Sequence, residues 1–438
     1  MIQAASNRVP CDKSDGSGRR GMTLVEMLVA TAVTLILIGL VVQLFGVVGG
    51  SITASRSLIE STGQLRSAAF RLRTDLSGIT AVPQPPAKPE FDSGYLEIIE
   101  GPTTDVSAAP YGILGDYDDV LMFTTRSQGS PFVGTFSGSQ IESMTAEVAW
   151  FCQPASVQPI SGLTLYNLYR KQMLVMGIVG AGSFSASNSI TGATIPTVYN
   201  SYDISLRPEG STLYANSLGD LTKRENRLFH VTNNGTSPFY ITGAAGTFPF
   251  PVSMGTTMGG IVFDSASGRQ GEDLILTNVI AFDVRVYDPE AAMRSSGGQV
   301  LTPGDRGYGS ASVISPTPKG AYIDLGADID VGAGKSGTSL GAAMQAKARF
   351  ASGSACTYDT WSTHYEFNGI DEDGDGVYDG GSDGQDNNGN GLVDELAEYD
   401  TLPPYSVSLR GLEVRIRVYE PASRQVRQFT VRHSFVPR

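Results

Sequence analysis

Two short runs of oxygen-bearing side chains carry the clearest chemistry in this sequence. Asp371-x-Asp373-x-Asp375-Gly376-x-x-Asp379 is followed 15 residues later by Asp386-x-Asn388-x-Asn390-Gly391-x-x-Asp394. Oxygen ligands at positions 1, 3 and 5, with glycine at 6, let a tight turn wrap a hard cation, and a backbone carbonyl serves at position 7. The carbonyls of Val377 and Leu392 fill that role. Calcium takes six to eight oxygens in flexible geometry and suits such a set better than magnesium. Neither run has Glu at position 12, so the remaining ligands come from Asp379, Asp383, Asp394, Glu395 and Glu398. From Glu366 to Asp400 there are twelve Asp or Glu and no Lys or Arg, in a chain whose formal charge is −13. Without cations a segment so charged repels itself and stays disordered. The alternative reading is a solvated acidic linker.

A single carboxylate stands apart from that group. Met22 to Val48 is predominantly apolar and carries one charge, Glu26. Its 27 residues make about 40 Å of helix, enough to cross a hydrocarbon core of about 30 Å. A carboxylate in such a segment costs about 2.5–3.5 kcal/mol on insertion scales, which marks it as functional. Glu26 either pairs with the N-terminal amine of a neighbouring subunit or snorkels to the interface. Before this helix come Arg8, Lys13, Arg19 and Arg20 against Asp12 and Asp15, a balance that holds that end in the cytoplasm and sends the rest across. A secretory signal has a shorter apolar region and a cut after it. Here Gly21 stands immediately before the apolar run.

With these residues in place, Gly21-Met22-Thr23-Leu24-Val25-Glu26 resembles the processing site of type IV prepilins and type II secretion pseudopilins. The resemblance implies a cut after Gly21 by a prepilin peptidase, N-methylation of Met22, and an assembly role for Glu26. Met22 departs from the Phe usual there. It further implies other pseudopilins or pilins and an inner-membrane assembly platform as partners. Residues 1–21 then read as a discarded leader, 22–48 as a single membrane span and 90–438 as a body outside the cytoplasm. The acidic runs resemble calcium loops of the dockerin or thrombospondin-repeat kind, without EF-hand helices.

The elements that must position these residues follow from periodicity. Leu58, Leu65, Ala69, Leu72, Leu76 and Ile79 form one apolar helical face, so the helix continues over 49–82 to about Thr80 before Pro83, Pro85, Pro86 and Pro89. Strands are expected at Tyr95–Glu100, Asp119–Arg126, Glu147–Cys152 and Leu163–Arg170. The second, third and fourth resemble the sheet of J-type minor pseudopilins. Phe282–Ala291 and Val414–Ala422 repeat one pattern, a strand ended by a proline turn, and the last 30 residues read as a β-hairpin. Residues 177–270 read as long insertions, and Leu221–Phe229, with Lys223, Arg224 and Arg227, as a solvated helix or turn. The expected fold is α+β and pilin-like, a long N-terminal helix on an antiparallel sheet.

Composition limits the function. Three histidines, no His-Glu-x-x-His and no P-loop argue against an enzyme, and no wide basic surface argues for nucleic acid. Of the three cysteines Cys11 falls in the leader, which leaves Cys152 and Cys356 as a possible disulfide or as two thiols. The expected function is a minor pseudopilin near a pseudopilus tip, with a pilus-borne calcium-dependent adhesin as the alternative.

Overall fold

The computed structural model describes residues 21–101, 106–108, 112–136, 139–158, 160–175, 178–179, 182–183, 189–191, 202–209, 212–228, 230, 248, 273–327 and 356–436. The expected leader and most of 177–270 lie outside them. The chain divides into two compact units, Met1–Arg56 and Ser57–Arg438.

Helix α1 runs unbroken from Leu24 to Ser77. Its side chains are exposed through Ile52, as an apolar segment without a protein partner must be. From Ser57 onward the helix belongs to the body and buries Ser61, Leu65, Ala68, Ala69, Leu72, Asp75 and Leu76, the stripe that the 3–4 spacing sets. The helix ends well before the prolines because Gly78 is pressed against the sheet. A Cβ there would lie 2.1 Å from the carbonyl oxygen of Arg126. Arg126 then donates to Gly78 O at 2.7 Å, and Thr80 to Thr124 O at 3.0 Å, so the chain turns into strand pairing instead of another helical turn.

The body is built on one nine-stranded antiparallel sheet. In chain order its strands are β1 Leu96–Glu100, β2 Val120–Arg126, β3 Thr145–Pro154, β4 Tyr166–Val175, β5 Leu274–Ala292, β6 Lys319–Ile323, β7 Cys356–Asp359, β8 Gly411–Glu420 and β9 Gln425–Ser434. Across the sheet the order is β7-β1-β2-β3-β4-β5-β8-β9, with β6 on the outer stretch of β5. All four strands expected early in the chain are present. Val148, Trp150 and Phe123 share one apolar core with Leu65, Leu72 and Leu76 of α1. The insertions carry small sheets of their own, such as Phe132–Phe136 with Ser139–Ser143.

The two repeated segments are each other's partners, with Phe282 opposite Ile416 and Val284 opposite Val414. The expected proline turn holds for Pro421, which opens the turn of the C-terminal hairpin. It fails for Pro289, which lies inside the 19-residue β5. Proline has no N–H for the ladder, and the register with β6 shifts between Asp288 and Ala292 to absorb it.

One open choice is decided and one further expectation is corrected. Of the two alternatives for Cys152 and Cys356, the disulfide is not formed. The two residues lie on β3 and β7, three strand spacings apart, or about 14 Å, where a disulfide needs Cα atoms within about 7 Å. The stretch holding Arg224 and Arg227 is not a solvated basic turn, since both side chains are fully buried. The β1–β7 register sets Glu97 directly opposite Asp359, and two adjacent buried carboxylates demand counter-charge. Arg227 Nη1 reaches Glu97 and Asp359 at 2.8 Å each, and Arg224 Nη1 reaches Glu97 at 2.8 Å and also contacts Asp359. Burial alone would raise the Glu97 carboxyl, but Arg224, His230 and Arg227 outweigh it and hold it well below the usual range.

Candidate functional site

At the membrane end, Gly21, Met22 and Thr23 precede the first helical residue, Leu24. Thr23 and Glu26 cap the helix reciprocally. Glu26 N donates to Thr23 Oγ1 at 3.2 Å, while Glu26 Oε2 accepts from Thr23 N at 2.8 Å and Thr23 Oγ1 at 3.1 Å. This is a capping box, and its Thr-x-x-Glu signature was readable in the sequence beside the motif already noted. The Glu26 side chain is therefore oriented before any neighbour arrives. Among the described residues α1 is the one helix long and apolar enough to cross a membrane.

The acidic runs hang from the β7 edge of the sheet, between Glu366 and Thr401. Carboxylates that accept backbone N–H groups hold them there. Glu366 takes the amides of Asp400 at 3.0 Å and Thr401 at 3.1 Å. Asp400 takes those of Asp379 at 2.8 Å and Gly380 at 2.9 Å, and Glu398 takes that of Asn387 at 2.6 Å. Trp361, buried under this base, donates its indole N–H to Thr401 Oγ1 at 3.0 Å. Many of these negative charges thus meet backbone dipoles, which is how so acidic a segment takes a defined shape.

Within this frame the two runs are structural copies offset by 15 residues. Gly369, Gly374, Gly376 and Asp379 have φ of 71°, 76°, 91° and 52°, and Gly384, Gly389, Gly391 and Asp394 have 79°, 73°, 91° and 56°. Left-handed backbone at these points turns each run back on itself, and glycine accepts it without strain. In the first copy Asp371 accepts from Gly374 N at 2.6 Å and Gly376 N at 3.0 Å, and Asp375 from Val377 N at 2.7 Å. In the second, Asp386 accepts from Asn390 N at 3.0 Å and Gly391 N at 2.8 Å, and Asn390 from Leu392 N at 2.8 Å.

The donor sets differ. Asp371, Asp373 and Asp375 bring carboxylate oxygens within 4.8 Å of one another. In the second copy two of those carboxylates are replaced by Asn388 and Asn390, whose amide nitrogens both point at Glu395 Oε1, at 2.7 and 2.5 Å. Glu395 stands where the first copy has Gly380, so it returns a carboxylate to the poorer loop. The Oε2 atoms of Glu372 and Glu395 are buried with no hydrogen-bond partner. Among the expected ligands Asp379 and Asp394, like Glu398, accept backbone amides at the loop bases. Asp379 accepts from Asn368 and Gly369 N at 3.0 Å, and Asp394 from Gly384 N at 2.8 Å, so each closes the base of its loop.

A third acidic group went unread in the sequence because its members come from separate segments. Glu100, Asp116 and Asp119 are buried, with carboxylate oxygens within 4.8 Å of one another. Burial, then the charge of Asp119, pushes Asp116 up to about 12, and Glu100 and Asp119 are raised as well. The signals were the acidic run Asp116, Asp118 and Asp119 and the glutamate that closes the Leu96–Glu100 strand.

Residues 16–42 match the family described as the prokaryotic N-terminal methylation motif. The match covers Gly21, Met22, Glu26 and the first half of the apolar helix, and it supports a prepilin-type protein processed by a prepilin peptidase and assembled with other pilins. No curated protein and no solved structure matches the chain.

Proposed function

We propose that this protein is a minor, non-catalytic subunit of a pilin-type filament, most like a J-type pseudopilin of type II secretion, standing at or near the tip. The observation that carries this reading is the junction Gly21-Met22 followed by Glu26 at the head of an exposed apolar helix whose other half is packed into a β-sheet body. In this reading the peptidase cuts after Gly21, Met22 is methylated, and the Glu26 carboxylate meets the new amine of an adjacent subunit within the bilayer. The body then stands on the far side of the inner membrane. Its bulk and long insertions fit a position that does not repeat along a shaft. N-terminal sequencing and intact mass of membrane-extracted protein test it: a start at methylated Met22 is expected, and Gly21→Val should accumulate the longer form. A start at Met1, or a cut beyond the apolar run, overturns the reading.

We also propose that the tandem loops hold two calcium ions, which would supply the positive charge that the segment lacks. Asp371, Asp373, Asp375 and the Val377 carbonyl serve one ion. Asp386, Asn388, Asn390, the Leu392 carbonyl and Glu395 serve the other. What supports this is the paired loop geometry and the two orphaned glutamate oxygens beside it. A calcium-dependent adhesin carried on a type IV pilus is the second reading, favoured by the exposure of both loops at the sheet edge.

A further inference from the structure

Where the body half of α1 lies beside β4 and the start of β5, the protein holds a cavity of about 440 Å³. Arg71 of α1, Val133, Arg170 and Gln172 of β4, and Asp203 and Asp273 line it. A volume of this order accepts a small ligand or a few side chains. Most of the charges on its wall have close partners. Arg170 grips Asp75 with Nε at 2.6 Å and Nη2 at 2.8 Å, and gives Nη1 to Gln172 Oε1 at 2.9 Å. Asp273 takes Lys171 Nζ at 2.9 Å, and Asp203 accepts from Thr135 N at 2.8 Å.

Arg71 stands apart. Its nearest carboxylate oxygen, on Asp75, is 3.9 Å away, beyond hydrogen-bonding reach, and its Nη2 only grazes Gln172 Oε1 at 3.4 Å. Its side chain is 47% exposed. A guanidinium carries five N–H donors in a rigid fork matched to a carboxylate. Burial and then the neighbouring Arg170 charge lower the Arg71 pKa, so two cations crowd this end of the cavity. Apolar surface belongs to the same wall: Val133 is 51% exposed, and Leu274 and Ile275 also line the cavity.

We propose that this cavity receives an acidic side chain of a partner polypeptide, with Arg71 gripping the carboxylate and the residues flanking it covering Val133. A free dicarboxylate or phosphate would meet Asp203 and Asp273 with no apolar contact in return. The site stands independently of the filament reading. The test uses the full chain in detergent micelles, titrated to millimolar levels with blocked Leu-Glu-Leu, blocked Leu-Gln-Leu, succinate and inorganic phosphate, each followed by ligand-observed NMR. The expected result is binding of the Glu peptide, about tenfold or more weaker binding of the Gln peptide, and an equal loss of Glu-peptide affinity in Arg71→Gln. Arg71→Gln should melt with the wild type, since Arg71 has no close ion pair to lose. Equal affinity for the two peptides, unchanged affinity in the variant, or no peptide binding overturns the proposal. Succinate or phosphate binding as tightly as the Glu peptide overturns the polypeptide assignment.

Discussion

Removing the carboxylate of Asp75 should loosen the joint between the helix and the sheet. Asp75 is 1% exposed and accepts three side-chain hydrogen bonds: from Arg170 Nε at 2.6 Å, Arg170 Nη2 at 2.8 Å and Trp150 Nε1 at 3.1 Å. Arg170 is 5% exposed, so Asp75→Ala strands a buried guanidinium as well as an indole N–H. Removing one member of such a pair costs about 3–5 kcal/mol. A body of roughly 380 residues unfolds with an entropy near 0.8 kcal/mol/K, so that cost lowers Tm by roughly 4–6 °C. The assay is a double-mutant cycle read by thermal unfolding, with Asp75→Ala, Arg170→Met and both together. Because the double variant leaves no unpaired charge, it should be more stable than Asp75→Ala alone. Additive losses, or a loss below about 1 kcal/mol for Asp75→Ala, would refute the argument that this pair locks α1 onto β3 and β4.

Three further outcomes are expected. Calorimetry should find two calcium sites per chain at millimolar calcium, the range of extracellular modules, with Asp371→Ala and Asp386→Ala each removing about one; no heat of binding, and no change in proteolysis of 367–400 on chelation, would leave the loops as a solvated linker. Glu26→Ala should insert into the membrane as well as wild type yet crosslink to neighbouring subunits less; equal yields would sink the pairing with the Met22 amine. Stability in chelator should fall as pH rises from about 5 to 8. Burial raises Asp324 to about 7 and Asp116 to about 12. Raised carboxyls favour the folded state while protonated in it, and that advantage is lost as pH climbs from the unfolded value through the folded one. Glu97 is shifted the other way, and its contribution changes only at more acidic pH. A Tm that is flat or rising over this range would contradict the buried acid group.

What the sequence made legible was local. The 3–4 spacing of Leu65, Ala69, Leu72 and Leu76 and the alternation in Leu412–Val418 are written in neighbouring residues, and both faces are buried as expected. The loop glycines were legible for the same reason. Arg224 and Arg227 were misread because their partners, Glu97 and Asp359, come together only through the β1–β7 register. Asp75 offered a hint that went unused: an acid on the buried helical face, between Leu72 and Leu76, has to meet a cation from the sheet. Which strand supplies that cation is a matter of topology, and no window of sequence contains it.

The pairing of β1 with β7 has a consequence in time. It joins Glu97 to Asp359 across roughly 260 residues of chain. Closing so distant a pair is slow, because the entropy of the intervening chain is lost before the contact rewards it. During synthesis β1 through β4 exist long before β7 does, and Arg224 and Arg227 arrive with only one of their two acceptors present. Until residue 359 arrives, β1 is a bare edge open to the wrong partner, a known route to aggregation. The acidic loops follow immediately after β7, so the nascent protein passes through a stage in which β1 to β6 are made while its most charged segment is still to come, and only the β8–β9 hairpin is added after it.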